Sequence, residues 1–416
     1  LMQLQTLIAF FYLRGLDYFG GLPIFTSNEG ENIPRSSDKE TFEHIENLLK
    51  EALPKLHKKQ QGEAEEGALK QAAAAAMLAQ LYFNAEAYIG EDHFDECATI
   101  CQDIIDGEYG YYELDDDWFG PHDFYNNESP EIIWSTPSEF NKLQYNWFYA
   151  DFYHYETYKY FGLDGGANNG AHLQPSRKPT GEIYTEFKLG KPFEKFDNED
   201  LRKKPYIYRG AGKYEGMFLV GRQESPYGIT RGTQEYKGEV IYFVDRVARF
   251  KKIGIEAPDT ASLSSTMADG EENTGIRWVK VPQPNLADEN LRNGADNPVI
   301  RLAEIYYMLA ECKMRAGDKR TAANLINQVR ARNFANREDP NPVTADNLDK
   351  YRMIDEWGIE FLGEGRRRTD LIRWNMFVTE SWWDHKPSNS THLCRFPVPQ
   401  QAISGNNALQ QNPGYE

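Results

Sequence analysis

Two widely separated stretches of this chain repeat one pattern, and that repetition limits the fold more than any other feature. "AMLAQLYFNAEAYIGEDHFDECATICQDII" begins at Ala76 and "YMLAECKMRAGDKRTAANLINQV" at Tyr307. Each runs through Met-Leu-Ala, then a turn that sets glycine beside an acidic residue, then a second helical segment. In the second segment Cys97, Cys101 and Ile104 stand at i, i+4 and i+7, matched by Ala322, Ile326 and Val329. Residues at that spacing share one helix face. Each copy is therefore a helix pair, and a pair of this kind needs a stacked neighbour to cover its apolar stripe.

The small–large–medium stripe resembles the second helix of a tetratricopeptide repeat. Leu309 precedes Ala322 by thirteen residues, the usual offset, and the earlier copy is six residues longer. "SSDKETFEHIENLLKEALPKL" adds a helix with a capping box, Ser37 with Glu40, and a stripe of Phe42, Ile45, Leu48, Leu49 and Leu53. Pro54 ends or kinks it. The alanine run from Ala72 favours helix and lets another helix approach closely. The opening "LMQLQTLIAFFYLRGLDYFGG" and the helix from Lys39 supply a further pair. The fold class is mainly α: tetratricopeptide-like helix pairs form a scaffold, and a loop-rich insertion with short strands interrupts it. The expected division is a scaffold over 1–109, an aromatic insertion over 110–297 as the ligand-binding region, scaffold again over 298–374, and an irregular tail over 375–416, all in one compact unit. "EIIWS" (131–135) and "EVIYFV" (239–244) are the expected strands, and 162–182 and 259–275 read as long loops.

Charge and cysteine content remove several function classes. With 46 basic against 64 acidic residues the formal charge is −18, which leaves no basic excess for nucleic acid. No run of eighteen apolar residues spans a membrane. The chain opens inside a helical pattern too interrupted by Gln and Arg for a signal peptide, so a targeting segment is expected upstream. Four cysteines make no disulfide framework, and Cys97 and Cys101, one helical turn apart, read as small buried side chains.

Motifs for metalloprotease, α/β-hydrolase and phosphate-loop chemistry are absent, and the eight histidines are scattered without metal-ligand spacing. Asp115, Asp116 and Asp117 beside Trp118 offer oxygen donors for a structural calcium, without the EF-hand spacing. No other cofactor is expected. "WGIEFLGEGRRRTDLIRW" (357–374) alternates Glu360, Glu364, Arg366, Arg367, Arg368, Asp370 and Arg373 with apolar residues. Its matched charges favour Arg–carboxylate pairs that fix a helical corner over an anion site.

Five blocks then occur in order: "LIAFFYLRGLDYFGGLPIF", "NNESPEIIWS", "NPVIRLAEIYYMLAECKMRAGDKRTAANLINQVRAR", "IDEWGIEFLGEGRRRTDLIRW" and "FPVPQQAISGNNALQQNPGY". Together they resemble the SusD/RagB family of outer-membrane nutrient-binding lipoproteins. Trp357 departs from the family, which usually places Arg there in a Glu-Arg pair. The resemblance implies a non-catalytic protein on the outer face of the cell outer membrane, held by an N-terminal lipid anchor that this chain does not contain. It also implies two partners, a SusC-like TonB-dependent transporter and a glycan or other nutrient.

Sugars present apolar C–H faces ringed by hydroxyls, and tyrosine or tryptophan rings meet those faces at low entropic cost. In "YNWFYADFYHYETYKYF" (145–161), ten of seventeen residues are aromatic, and the run leads into "GLDGGANNG". The candidate ligand contacts are Tyr145, Trp147, Tyr149, Tyr153, Tyr155, Tyr158 and Tyr160, with Asn168 and Asn169 for hydroxyls. Trp118 and Trp278 join them because their settings look loop-like. Phe148, Phe152 and Phe161 are assigned to packing. A peptide-binding repeat scaffold and a helical glycoside hydrolase are the rival readings.

Overall fold

The computed structural model describes residues 1–26, 32–139, 142, 171–225, 228–229, 237–250, 265–282 and 294–416. Helix α1 (Met2–Phe19) packs on α2 (Asp38–Ala52). The capping box forms as the sequence indicates: Ser37 accepts from the Glu40 backbone N–H, and the Glu40 carboxylate accepts from Ser37. A single 3-10 turn at Leu53–Lys55, with Pro54 inside it, closes α2.

Helix α3 (Gln71–Phe83) follows, and it breaks at Asn84 into the short α4 (Ala85–Ile89) before α5 (Phe94–Ile105). All of α3 is buried, with Ala72 to Ala76 and Ala79 fully enclosed. A helix apolar on every face has to lie inside a bundle, and methyl side chains let α2 and α5 close on it from two sides. Cys97 and Cys101 are free and buried, with sulfurs 3.9 Å apart.

The second copy of the repeat forms α7 (Leu302–Arg315) and α8 (Lys319–Arg330), and α7 packs on α5 to continue the stack. Between α5 and α7 in sequence lies α6 (Pro192–Lys195), one short turn; α9 (Lys350–Glu360), α10 (Arg367–Arg373) and α11 (Gln400–Gly405) complete the α-helices among the described residues. Among the described residues the strands form only two-stranded ladders. The longest joins β1 (Ile132–Thr136) to a strand at Asn297–Arg301, so the two ends of the insertion meet. "EVIYFV" contributes strand only at Tyr242–Phe243, which pairs antiparallel with Gly221–Arg222.

Buried charge locks the insertion to the scaffold. Glu360 accepts from Arg301 at 2.8 Å, Arg202 at 2.9 Å and Arg332 at 3.0 Å. Arg301 also reaches Glu131 and Glu364, Arg332 reaches Glu131, Arg202 pairs with Asp200, and Lys280 with Glu364. Four cations thus meet four carboxylates, which satisfies the expected structural role of this stretch. Trp357 is 1% exposed, and its indole Nε1 donates to Glu311 Oε2 at 2.8 Å. Arg373 supplies the fork to the same carboxylate at 2.8 and 2.9 Å. The tail returns to the first pair: the Phe396 N–H donates to the Tyr18 carbonyl, and Asn412 Nδ2 to the Phe19 carbonyl.

Candidate ligand-binding site

The described chain resumes at Ala171, which in sequence follows the aromatic run and the segment that carries Asn168 and Asn169. From there it enters a packed seam, where the Leu173 N–H donates to the Ile276 carbonyl at 2.7 Å. His172 is fixed by its Nδ1 contact with the Leu173 carbonyl, 2.8 Å, and lies against Gly275. A Cβ at Gly275 would fall 2.3 Å from that imidazole, and its φ of +73° also favours glycine.

Opposite stands a tight turn from the C-terminal tail. The Trp382 and His385 backbones exchange hydrogen bonds of 3.3 and 2.7 Å. Their rings stack at 3.7 Å between centroids and 8° between planes. Trp383, inside the turn, has φ +29°, a backbone conformation that bulky residues rarely adopt and that concentrates at functional sites. Its Nε1 donates to Ser265 Oγ at 3.1 Å, and Asp384 accepts from the Met267 N–H at 3.4 Å.

These elements enclose an open hollow of about 580 Å³, lined by Ala171, His172, Gln174, Met267, Trp382, Trp383, Asp384 and His385. Burial holds both imidazoles below the usual histidine pKa, so they are neutral at pH 7. The hollow thus combines two indoles with amide, imidazole and carboxylate groups, the composition that grips a ligand with apolar faces and polar edges. Sequence reading missed the turn, because "SWWDH" sits in a stretch without periodicity; the adjacent tryptophans followed by Asp and His were the available signal.

The other candidates divide. Tyr145, Trp147, Tyr149, Tyr153, Tyr155, Tyr158, Tyr160, Asn168 and Asn169 lie outside the described residues, as do Phe148, Phe152 and Phe161. Trp118 and Trp278 need correction: they are 7% and 8% exposed and share a core cluster with Phe218, Ile276 and Ile359. Burial of that extent leaves little ring surface for a ligand. Asp115, Asp116 and Asp117 border one open cavity, and two of them have partners of their own. Asp115 accepts from Ser129, and burial pushes its pKa up to about 6, whereas Asp116 pairs with Arg337. Among the described residues no group of three or more His, Cys, Asp or Glu is placed to hold a metal ion.

A stack of helix pairs that carries a loop-rich insertion and an aromatic hollow defines the class, a helical-repeat protein with short strands in its insertion. The chain belongs to the SusD family, whose model matches residues 130–415. Over 128 residues it is 36% identical to the starch-binding protein SusD of Bacteroides thetaiotaomicron, a match that covers 29% of this chain and 22% of that protein. Among solved structures, a SusD superfamily protein from Bacteroides fragilis superposes with a TM-score of 0.64 at 18% identity, covering 100% of this chain and 79% of the other. A surface glycan-binding protein from Bacteroides uniformis gives 0.59 at 17% identity, covering 99% and 77%. Those two likenesses bear on the fold alone.

Proposed function

We propose that this protein binds a glycan at the cell surface, without catalysis, and passes it to a TonB-dependent transporter of the SusC type. The carrying observation is the Trp382–His385 turn, which puts two indoles and a neutral imidazole around one hollow with Gln174 and Asp384 at hand. Family membership supports the reading, as does the starch-binding relative. An outer-membrane position through an upstream lipid anchor belongs to the same proposal. So does contact between the ligand and tyrosines of 145–160.

Isothermal calorimetry against α-glucan and β-glucan oligosaccharides tests it. One class is expected to bind without turnover, and Trp383→Ala to weaken it at least about fivefold, the equivalent of about 1 kcal/mol for a lost aromatic contact. Binding that Trp383→Ala leaves intact would remove the hollow as the site. Co-purification of a barrel transporter with the tagged protein tests the partner.

A further inference from the structure

Trp382, His172 and Gln174 line a second space as well as the hollow. This chamber holds about 510 Å³, within the usual range for small-molecule pockets and far larger than the voids that side-chain packing leaves. Its other walls include Leu189, Ile359 and Leu371, which are 1%, 6% and 5% exposed, together with Leu362 and Phe377.

The charged residues on these walls are already engaged. Lys195 pairs with Asp355 at 2.5 Å, and Arg367 donates to the Ile354 carbonyl. Arg366 reaches Asp370 at 3.3 Å, and Arg368 reaches Asp17 at 3.1 Å. What these walls still offer an occupant is chiefly aliphatic and aromatic surface. A sugar ring entering the chamber would find polar partners only at the His172 and Gln174 wall and leave its other hydroxyls against apolar surface, which is costly, whereas an apolar group would bury itself against that surface.

We infer that the chamber is a second subsite for an aryl or short acyl group carried by the sugar seated in the hollow. His172, Gln174 and Trp382 border both spaces, and His385 covers one face of Trp382, so one ligand can set its sugar against Trp383 in the hollow and its apolar substituent in the chamber. The preferred ligand is then a substituted glycan, a narrower class than the glycan reading on which this inference rests.

The test compares 4-nitrophenyl α-maltoside with methyl α-maltoside, and the same pair of β-cellobiosides, by calorimetry on the full chain. Free phenol serves as a probe of the chamber alone. The 4-nitrophenyl glycoside is expected to bind at least about tenfold tighter than the methyl glycoside, as burial of one aromatic ring permits. Leu362→Trp, which fills the chamber, should erase that advantage and leave methyl glycoside affinity unchanged, whereas Trp383→Ala should weaken both alike. Ile359→Phe is the second filling variant should the first unfold, with thermal midpoints as the check. Equal affinities for the two aglycones, or an advantage that survives filling, overturn the inference. If no glycoside binds, the glycan reading fails and phenol decides the chamber: binding abolished by filling supports it, and no binding overturns it.

Discussion

Replacing Glu360 by Gln keeps the side chain's shape and deletes one charge from the junction of scaffold and insertion. Glu360 is 4% exposed and accepts hydrogen bonds from three arginines at 2.8 to 3.0 Å. Its amide would retain one acceptor oxygen and present two donors to guanidinium groups that can only donate. The four-against-four balance would become one uncompensated buried cation. Breaking a buried pair from one side costs about 3–5 kcal/mol, a large share of the roughly 5–15 kcal/mol that holds a folded protein together. In urea, with a slope of about 3 kcal/mol/M, the midpoint should fall by at least about 1 M. Glu51→Gln, which breaks an exposed i,i+4 pair with Lys55, serves as the control and should leave the midpoint in place. A Glu360→Gln shift under about 0.3 M would refute the argument, because it would mean that water already screens this junction.

Three further expectations concern pH and the core. Burial raises Glu360, but Arg301, Arg332 and Arg202 more than offset it and leave the carboxyl well below its usual pKa; Glu311, opposite Arg373, follows the same pattern. Their stabilisation is complete above the unfolded glutamate value and is lost as pH falls below it. Asp115 and Asp245, pushed by burial up to about 6, act in the opposite sense: their contribution is complete below about 4 and disappears as pH rises through 6. The thermal midpoint should therefore peak near pH 5, decline gently toward 7 and fall steeply toward 3; a flat profile below pH 4 would contradict the network. Ala76→Leu, at a position with no exposed surface, should cost about 1–3 kcal/mol or more in denaturant unfolding, and a neutral result would mean α3 is not enclosed. Gly363→Ala should lower the thermal midpoint, since φ is +80° and the new Cβ would lie 2.5 Å from Trp278 Nε1.

The helical framework was legible because its signals are local or periodic. Ser37 and Glu40 mark a helix start within four residues, and Cys97, Cys101 and Ile104 mark a buried stripe within one helix. The arginine-rich corner was legible as structure because its charges were matched within its own stretch. Its partners Glu131, Arg202 and Lys280 were not, since they arrive from the insertion. Trp118 and Trp278 misled for a related reason. Their neighbours in sequence look like loops, yet their neighbours in space are Phe218 and Ile359.

The sequence by itself determined that this chain stacks helix pairs, where several of those helices begin and end, and which family it resembles. Only the tertiary structure assembled the hollow proposed to hold a ligand. The hollow draws Ala171 and His172 from the insertion, Met267 from a later loop and Trp382, Trp383 and His385 from the tail. No periodicity links segments so far apart; they meet because the β1 ladder, the buried charge junction and the tail's return to α1 hold their backbones in place. A helix can be read from the spacing of its own residues, whereas a pocket depends on contacts that exist only after the chain has closed on itself.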